Sequence, residues 1–111
     1  MHISATILNA IEIFQRISGV LRNFEVVFKG PKSILELKKL NCGLYYGYSQ
    51  VGKCFTVYPK NFEQALEIAN QIVSVTKGLY GPTIPYDFKF KEKSIVYFRY
   101  GAFYCIKNGE F

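Results

Sequence analysis

Several residue types that build common catalytic and metal sites are scarce in this chain of 111 residues. Tryptophan is absent, and His2 is the only histidine. The three cysteines form no Cys-x-x-Cys pair, which excludes the usual zinc motifs. Their odd number and wide spacing favour free thiols, so we expect a reducing, cytoplasmic location. No apolar run approaches the roughly 20 residues of a membrane span, so we expect no membrane partner.

Acidic residues are also few. Eight Asp and Glu stand against fourteen Lys and Arg, and the net charge is +6. This surplus suits an anionic partner such as a phosphorylated peptide, an acidic lipid or a nucleic acid, and equally a basic surface without a specific partner. Half of the residues are hydrophobic, which is typical of a chain that folds around a core. The length predicts one domain, covering residues 1–111.

Apolar residues recur at three- and four-residue steps in two stretches, which predicts two main helices. We expect Ser4 or Thr6 to cap the first, and Asn61 to cap the second in a capping box. Gly78 is the predicted stop of the second helix, and residues 33–40 carry a capping box of their own, which predicts a short helix. The apolar face predicted for the first helix is Ile7, Leu8, Ile11, Phe14, Ile17 and Leu21.

Short alternating stretches predict the strands. They are Phe24 to Lys29, Lys53 to Tyr58, Phe88 to Phe90, Ser94 to Tyr100 and Phe103 to Lys107. His2-Ile3-Ser4 also resembles the end of a strand, directly before the first helix. Residues 41–52, rich in glycine and tyrosine, predict a loop. Because no regular βαβ repeat is present, we predict an α+β fold: a mixed or antiparallel sheet of four to five strands, two main helices and one short helix.

Four cationic side chains are candidates for binding phosphate. His2 precedes a predicted helix, whose exposed N–H groups attract anions. Lys29 and Lys53 lie on predicted strands, and Arg99 lies in the middle of an aromatic strand, where a buried guanidinium needs an anionic partner. Each also fits an ordinary solvated face or strand edge. No Ser-His-Asp set, carboxylate pair or nucleotide motif is present, so these residues alone favour phosphate binding over catalysis.

Ordered motifs along the chain resemble a known family. They are His2-Ile3-Ser4-Ala5-Thr6, Asn9, Phe28-Lys29, Ser49-Gln50-Val51-Gly52-Lys53-Cys54-Phe55-Thr56-Val57-Tyr58-Pro59, Gly78-Leu79-Tyr80-Gly81-Pro82 and Tyr97-Phe98-Arg99-Tyr100-Gly101-Ala102-Phe103. In this order they resemble the N-terminal lyase domain of class III lanthipeptide synthetases, which is akin to the phosphothreonine lyases of bacterial type III effectors. Relatives continue beyond both ends of the resemblance, so we expect an incomplete lyase domain.

The resemblance implies a reaction, the β-elimination of phosphate from phosphoserine or phosphothreonine in a precursor peptide. The products are dehydroalanine and dehydrobutyrine, and neither a metal nor an organic cofactor takes part. In relatives, kinase and cyclase domains act with the lyase. The implied site residues are the base Lys29, the acid His2, the phosphate ligands Arg99 and Lys53, and the substrate-orienting Tyr48 and Tyr58.

A lysine can act as a base only in its neutral form, and we expect the Phe28 ring and the charges of Lys53 and Arg99 to favour that form of Lys29.

Two functions other than a lyase stay open. One alternative is a catalytically inactive domain that binds a phosphopeptide or a leader peptide. The expected truncation at both ends of the lyase domain favours this alternative. A nucleic-acid binder ranks last, because the chain has no nucleic-acid recognition motif.

Overall fold

The computed structural model describes residues 1–31, 41 and 53–99. The elements within them are the strands β1 (His2–Ile3), β2 (Val27–Lys29), β3 (Phe55–Tyr58), β4 (Asp87–Lys89) and β5 (Val96–Arg99), and the helices α1 (Ala10–Phe24) and α2 (Phe62–Val75). The predicted α+β class is therefore confirmed. The helix predicted for residues 33–40, the loop around Tyr48 and the strand predicted for residues 103–107 lie outside the described residues.

The five strands form one antiparallel sheet in the order β2-β3-β1-β5-β4. The short strand β1 lies in its centre, which confirms that His2-Ile3 belongs to a strand. In this position His2 is paired with Thr56 of β3 on one side and with Tyr97 of β5 on the other. Residues that are directly opposite on neighbouring strands share a face of the sheet, so this register decides which side chains meet.

The two faces of the sheet differ in chemistry. One face carries buried apolar side chains, which join those of both helices in one core: Ile3, Phe55, Val57, Val96 and Phe98. The opposite face, which we call the polar face, consists of the alternate residues Val27, Lys29, Thr56, Tyr58, His2, Tyr97, Arg99, Asp87 and Lys89. Every candidate residue that lies within these strands is on the polar face.

Helix α1 begins later than predicted. Thr6 Oγ1 accepts a hydrogen bond from the Asn9 N–H, and Asn9 Oδ1 accepts one from the Thr6 N–H, at 3.2 and 2.8 Å. These bonds hold a turn, so the helix starts only at Ala10. The predicted caps Ser4 and Thr6 are therefore wrong. His2 lies on the polar face of the sheet, whereas α1 packs against the other face, so the predicted role of the helix in attracting an anion to His2 is wrong.

The buried face of α1 is only partly the predicted one. Ile17 and Leu21 are fully buried, whereas Leu8 is 96% exposed and Ile11 is 64% exposed. The reason is that Leu8 precedes the helix, and that the buried stripe runs through Ile13, Ile17, Val20 and Leu21. Glu25 closes the helix with a left-handed φ of 52°. Phe24 is consequently the last residue of the helix. The prediction that Phe24 is the first residue of a strand is wrong.

Helix α2 follows its prediction closely. The Asn61 side chain accepts a hydrogen bond from the Gln64 N–H at 2.8 Å, and Gln64 Oε1 accepts one from the Lys60 N–H at 2.7 Å. The helix ends at Val75, ahead of Gly78, which has a left-handed φ of 85°. Its buried residues are Ala65, Ile68, Ala69 and Ile72.

Two of the motifs that carry the family resemblance contact each other. Ser4 Oγ donates a hydrogen bond to the Pro82 carbonyl, and Asn9 Nδ2 donates one to the Tyr80 carbonyl, both at 2.6 Å. Gly81, between the two acceptors, has no room for a side chain, because an added Cβ would lie 2.7 Å from a backbone nitrogen of the segment that leaves β1. The contact fixes the chain directly after His2-Ile3.

Candidate functional site

One residue from each strand contributes to a row across the polar face. From β2 to β4 the row is Lys29, Thr56, His2, Tyr97 and Lys89. Neighbouring strands are about 4.8 Å apart, so the backbones of Lys29 and Lys89 each lie roughly 10 Å from that of His2, on opposite sides. The fold thus brings the predicted base and the predicted acid onto one face, with Thr56 between them.

Tyr58 and Arg99 extend this face beside His2. They lie on β3 and β5 two residues beyond its direct partners, which makes both of them diagonal neighbours at roughly 7–8 Å. Arg99 is exposed at the end of its strand. The expectation that Arg99 is buried among aromatic side chains is therefore wrong, because Arg99 reaches solvent. Its place on the polar face is nevertheless the one that the predicted site requires.

An ion pair between His2 and Asp87 lies in the middle of this face. His2 Nδ1 is 2.7 Å from Asp87 Oδ2, and the two side chains are only 13% and 2% exposed. A carboxylate accepts the Nδ1–H, so Nε2 is the nitrogen that can exchange a proton with a ligand. Sequence reasoning missed Asp87, since the predicted strand begins one residue later, at Phe88. The alternation in Asp87-Phe88-Lys89 was the available signal, because it sets Asp87 on the face of Lys89.

Burial lowers the pKa of His2 below its ordinary value of 6.5. The hydrogen bond and the negative charge of Asp87 act in the opposite direction, and the positive charges of the Met1 amino group and of Lys53 lower the pKa further. Lys53 precedes β3 and is half-buried. Its effect on the imidazole places this predicted phosphate ligand within electrostatic reach of His2. The free domain therefore holds His2 mainly as neutral imidazole at neutral pH.

Lys29 lies on β2, at one side of the described sheet, and it is exposed. Its Nζ is 5.9 Å from the centre of the Tyr58 ring, a cation–π distance. Phe28 packs against the core on the other face. The expectation that the Phe28 ring shields the Lys29 amine is therefore wrong, because side chains alternate along a strand. Tyr58 is half-exposed beside the ammonium.

The described residues offer neither a metal site nor a reactive thiol. They contain no group of three or more His, Cys, Asp and Glu side chains that could hold a metal ion. Cys54 is buried, and burial raises the pKa of its thiol to about 12, so it does not act as a thiolate nucleophile at neutral pH. No helix in residues 1–31 or 53–99 has both the length and the apolar character to cross a membrane.

A family model described as RamC, N-terminal domain, matches residues 1–110. The chain belongs to this family. RamC is a class III lanthipeptide synthetase, so the match supports the class of protein that the motifs resemble. The RamC context also implies a precursor peptide as the substrate. No curated protein has a significant match to the chain.

Proposed function

We propose that this domain is a phosphoserine/phosphothreonine lyase that acts on a phosphorylated lanthipeptide precursor. The observation that carries the proposal is the row across the polar face, in which Lys29 and His2 flank Thr56. Two cations support the proposal: Arg99 is a diagonal neighbour of His2 on β5, and the charge of Lys53, ahead of β3, acts on the pKa of the same histidine. Membership of the RamC family supports a peptide substrate.

The proposed reaction is a β-elimination. The neutral amine form of Lys29 accepts the α-proton of the phosphorylated residue and becomes an ammonium, and the electron pair of that C–H bond forms a double bond between Cα and Cβ. The Cβ–O bond breaks and its electrons leave with the phosphate, whose bridging oxygen takes a proton from His2. Phosphoserine yields dehydroalanine, and phosphothreonine yields dehydrobutyrine. The reaction needs no oxidant or other co-reactant.

Substrate binding is expected to protonate His2, the proposed acid. Burial keeps His2 mainly neutral in the free domain, and a neutral imidazole with Nδ1–H bonded to Asp87 has no proton on Nε2. A phosphate dianion beside the ring raises the histidine pKa, because it stabilises the imidazolium. His2 therefore takes up its proton when the substrate arrives, and Asp87 holds the charged ring in place.

The other residues of the site hold the substrate. Arg99 can bind two phosphate oxygens at once through its planar guanidinium, whereas Lys53 adds a compact positive charge. Tyr58 orients the peptide next to Lys29, and Tyr48 is assigned the same task from the family resemblance. We further propose that residues 1–111 form one lyase-like domain, which works with kinase and cyclase domains or proteins.

Mass spectrometry of a peptide with one phosphoserine or phosphothreonine tests the proposal. The purified protein should remove one phosphoric acid from the peptide. Lys29→Met should slow this loss by about 10²- to 10⁴-fold, the usual contribution of a general base. Lys77→Met is the matched control, since Lys77 is an exposed lysine after α2, outside the polar face. Equal rates for wild type and Lys29→Met would refute the assignment of the base.

The alternative is a domain that binds the phosphopeptide without chemistry. The exposure of Lys29 favours it, because an exposed ammonium suits phosphate binding better than proton abstraction. Titration of the phosphopeptide by fluorescence anisotropy distinguishes the two functions. Binding that depends on Lys29 and Arg99, with no loss of mass from the peptide, would favour the binding module over the lyase.

A further inference from the structure

We infer that Lys89 binds a second anionic side chain of the substrate peptide, at a position other than the residue that reacts. The inference rests on the proposed function. Lys89 is the counterpart of Lys29 in the row across the polar face, since each lies two strands from His2. The elimination uses Lys29 and leaves Lys89 without a role.

The Lys89 ammonium is held on the polar face. Lys89 lies directly opposite Tyr97, and its Nζ is 5.8 Å from the centre of the Tyr97 ring. Tyr97 is the neighbour of His2 on β5 and is only 2% exposed. The amine therefore lies on the side of β4 that faces the histidine, while the residue as a whole stays exposed.

No carboxylate among the described residues neutralises Lys89. The ion pairs within residues 1–31 and 53–99 are His2–Asp87 and Arg16–Glu12. Asp87 is on the strand and face of Lys89, but its Oδ2 is bonded to His2. The adjoining segment Lys91-Glu92-Lys93 is exposed and adds one net positive charge. An exposed, unpaired ammonium beside a proposed substrate site is suited to an anion.

The register sets the spacing of the second anion. The backbones of Lys89 and His2 are about 10 Å apart across two strand spacings, and an extended peptide advances about 3.3 Å per residue. The anionic side chain should therefore lie about two to four positions from the phosphorylated residue. A carboxylate and a second phosphate have the required chemistry in common, as oxygen acceptors for an ammonium group.

A set of peptides with one phosphoserine and one glutamate provides the test. The glutamate is moved from two to four positions away on either side, with glutamine at the same place as the reference, and kcat/KM for loss of phosphoric acid is measured. Glutamate on one side should raise kcat/KM by about two- to fivefold, which is the size of an exposed ion pair. A second phosphoserine in its place shows whether carboxylate or phosphate is preferred.

Three variants assign the effect. Lys89→Met should abolish the preference for glutamate, and Lys89→Glu should reverse it in favour of lysine at the same peptide position. Lys77→Met is the matched control and should retain the preference, since this exposed lysine lies after α2, outside the polar face. A preference that survives in Lys89→Met would overturn the inference.

Failure of this inference differs from failure of the lyase proposal. If wild type eliminates phosphate equally from the glutamate and glutamine peptides, Lys89 has no such role and the lyase proposal stands. If no peptide loses phosphate, the same peptides are compared by anisotropy. Tighter binding of the glutamate peptides that depends on Lys89 would then support the second site without the chemistry. Equal binding would refute it.

Discussion

Replacing Gly81 by alanine should destabilise the domain strongly, although it adds a single methyl group. The added Cβ would lie 2.7 Å from the Ala5 nitrogen and 2.9 Å from the Ser4 carbonyl carbon. Ordinary contacts between such atoms begin at about 3.5 Å, so the two segments must separate by roughly 0.7 Å. The neighbours are backbone atoms of a chain that leaves the central strand, and they have no rotamer by which to move aside.

The cost has two parts. Overpacking by one methyl group costs about 1–3 kcal/mol. The separation also stretches the hydrogen bonds that Ser4 and Asn9 make to the carbonyls on either side of Gly81, and each such bond contributes about 0.5–1.5 kcal/mol. We therefore expect a loss of about 3 kcal/mol in the free energy of unfolding. For a domain of this size the melting temperature should fall by about 10–20 °C.

Urea unfolding followed by circular dichroism measures this loss. Gly19→Ala is the matched control, since Gly19 is exposed on α1 and an added Cβ there has no neighbour within 4 Å. It should stabilise the protein by up to about 1 kcal/mol, because alanine favours the helix. If Gly81→Ala unfolds within about 0.5 kcal/mol of the wild type, the close approach of the two segments is not a structural constraint.

Two further predictions concern His2 and the cap of α2. Because burial lowers the pKa of His2, the unfolded chain binds more protons than the folded one below pH 6.5, and the domain should lose stability as the pH falls through the pKa of the folded state. When both proteins are unfolded in urea between pH 7.5 and 5, His2→Gln should lose less stability than the wild type. The Met1 amino group, whose pKa burial also lowers, still contributes a loss in the variant. An NMR titration of the single histidine should give a midpoint below 6.5, and Asp87→Asn should lower this midpoint further. The same midpoint in Asp87→Asn and wild type would show that Asp87 does not raise the pKa of His2. Asn61→Ala should cost about 1 kcal/mol in the free energy of unfolding, because it removes the acceptor of the Gln64 N–H. Asn70→Ala, at an exposed position of the same helix, should cost nothing. Equal losses in the two variants would mean that the cap contributes no stability.

Features set by local interactions could be predicted from the sequence. The cap of α2 depends on two residues three positions apart, and this prediction is confirmed. The start of α1 was missed because Thr6 and Asn9 bond to each other's backbone instead of capping the helix. Side chains of this kind compete with helical bonding, and the apolar pattern alone does not register that competition.

The site depends on contacts between distant parts of the chain. Alternation along β2 puts Lys29 and Phe28 on opposite faces of the sheet, as the strand pairing shows. It did not reveal which strands are neighbours, so the pairing of His2 with Asp87, 85 positions later, had no local signal. The exposure of Arg99 was missed for a related reason. Burial depends on where a strand ends within the sheet, which the strand's own residues do not determine.

The central place of β1 has a consequence for how the protein folds during synthesis. His2–Ile3 is made first, but its two partners, β3 and β5, leave the ribosome much later, and β5 last of all the described elements. The pairs β2–β3 and β4–β5 are adjacent in the sheet and can form separately. The nascent chain must keep β1 unpaired until both have emerged. Folding should therefore be slow, since pairing across such long sequence separations delays the transition state.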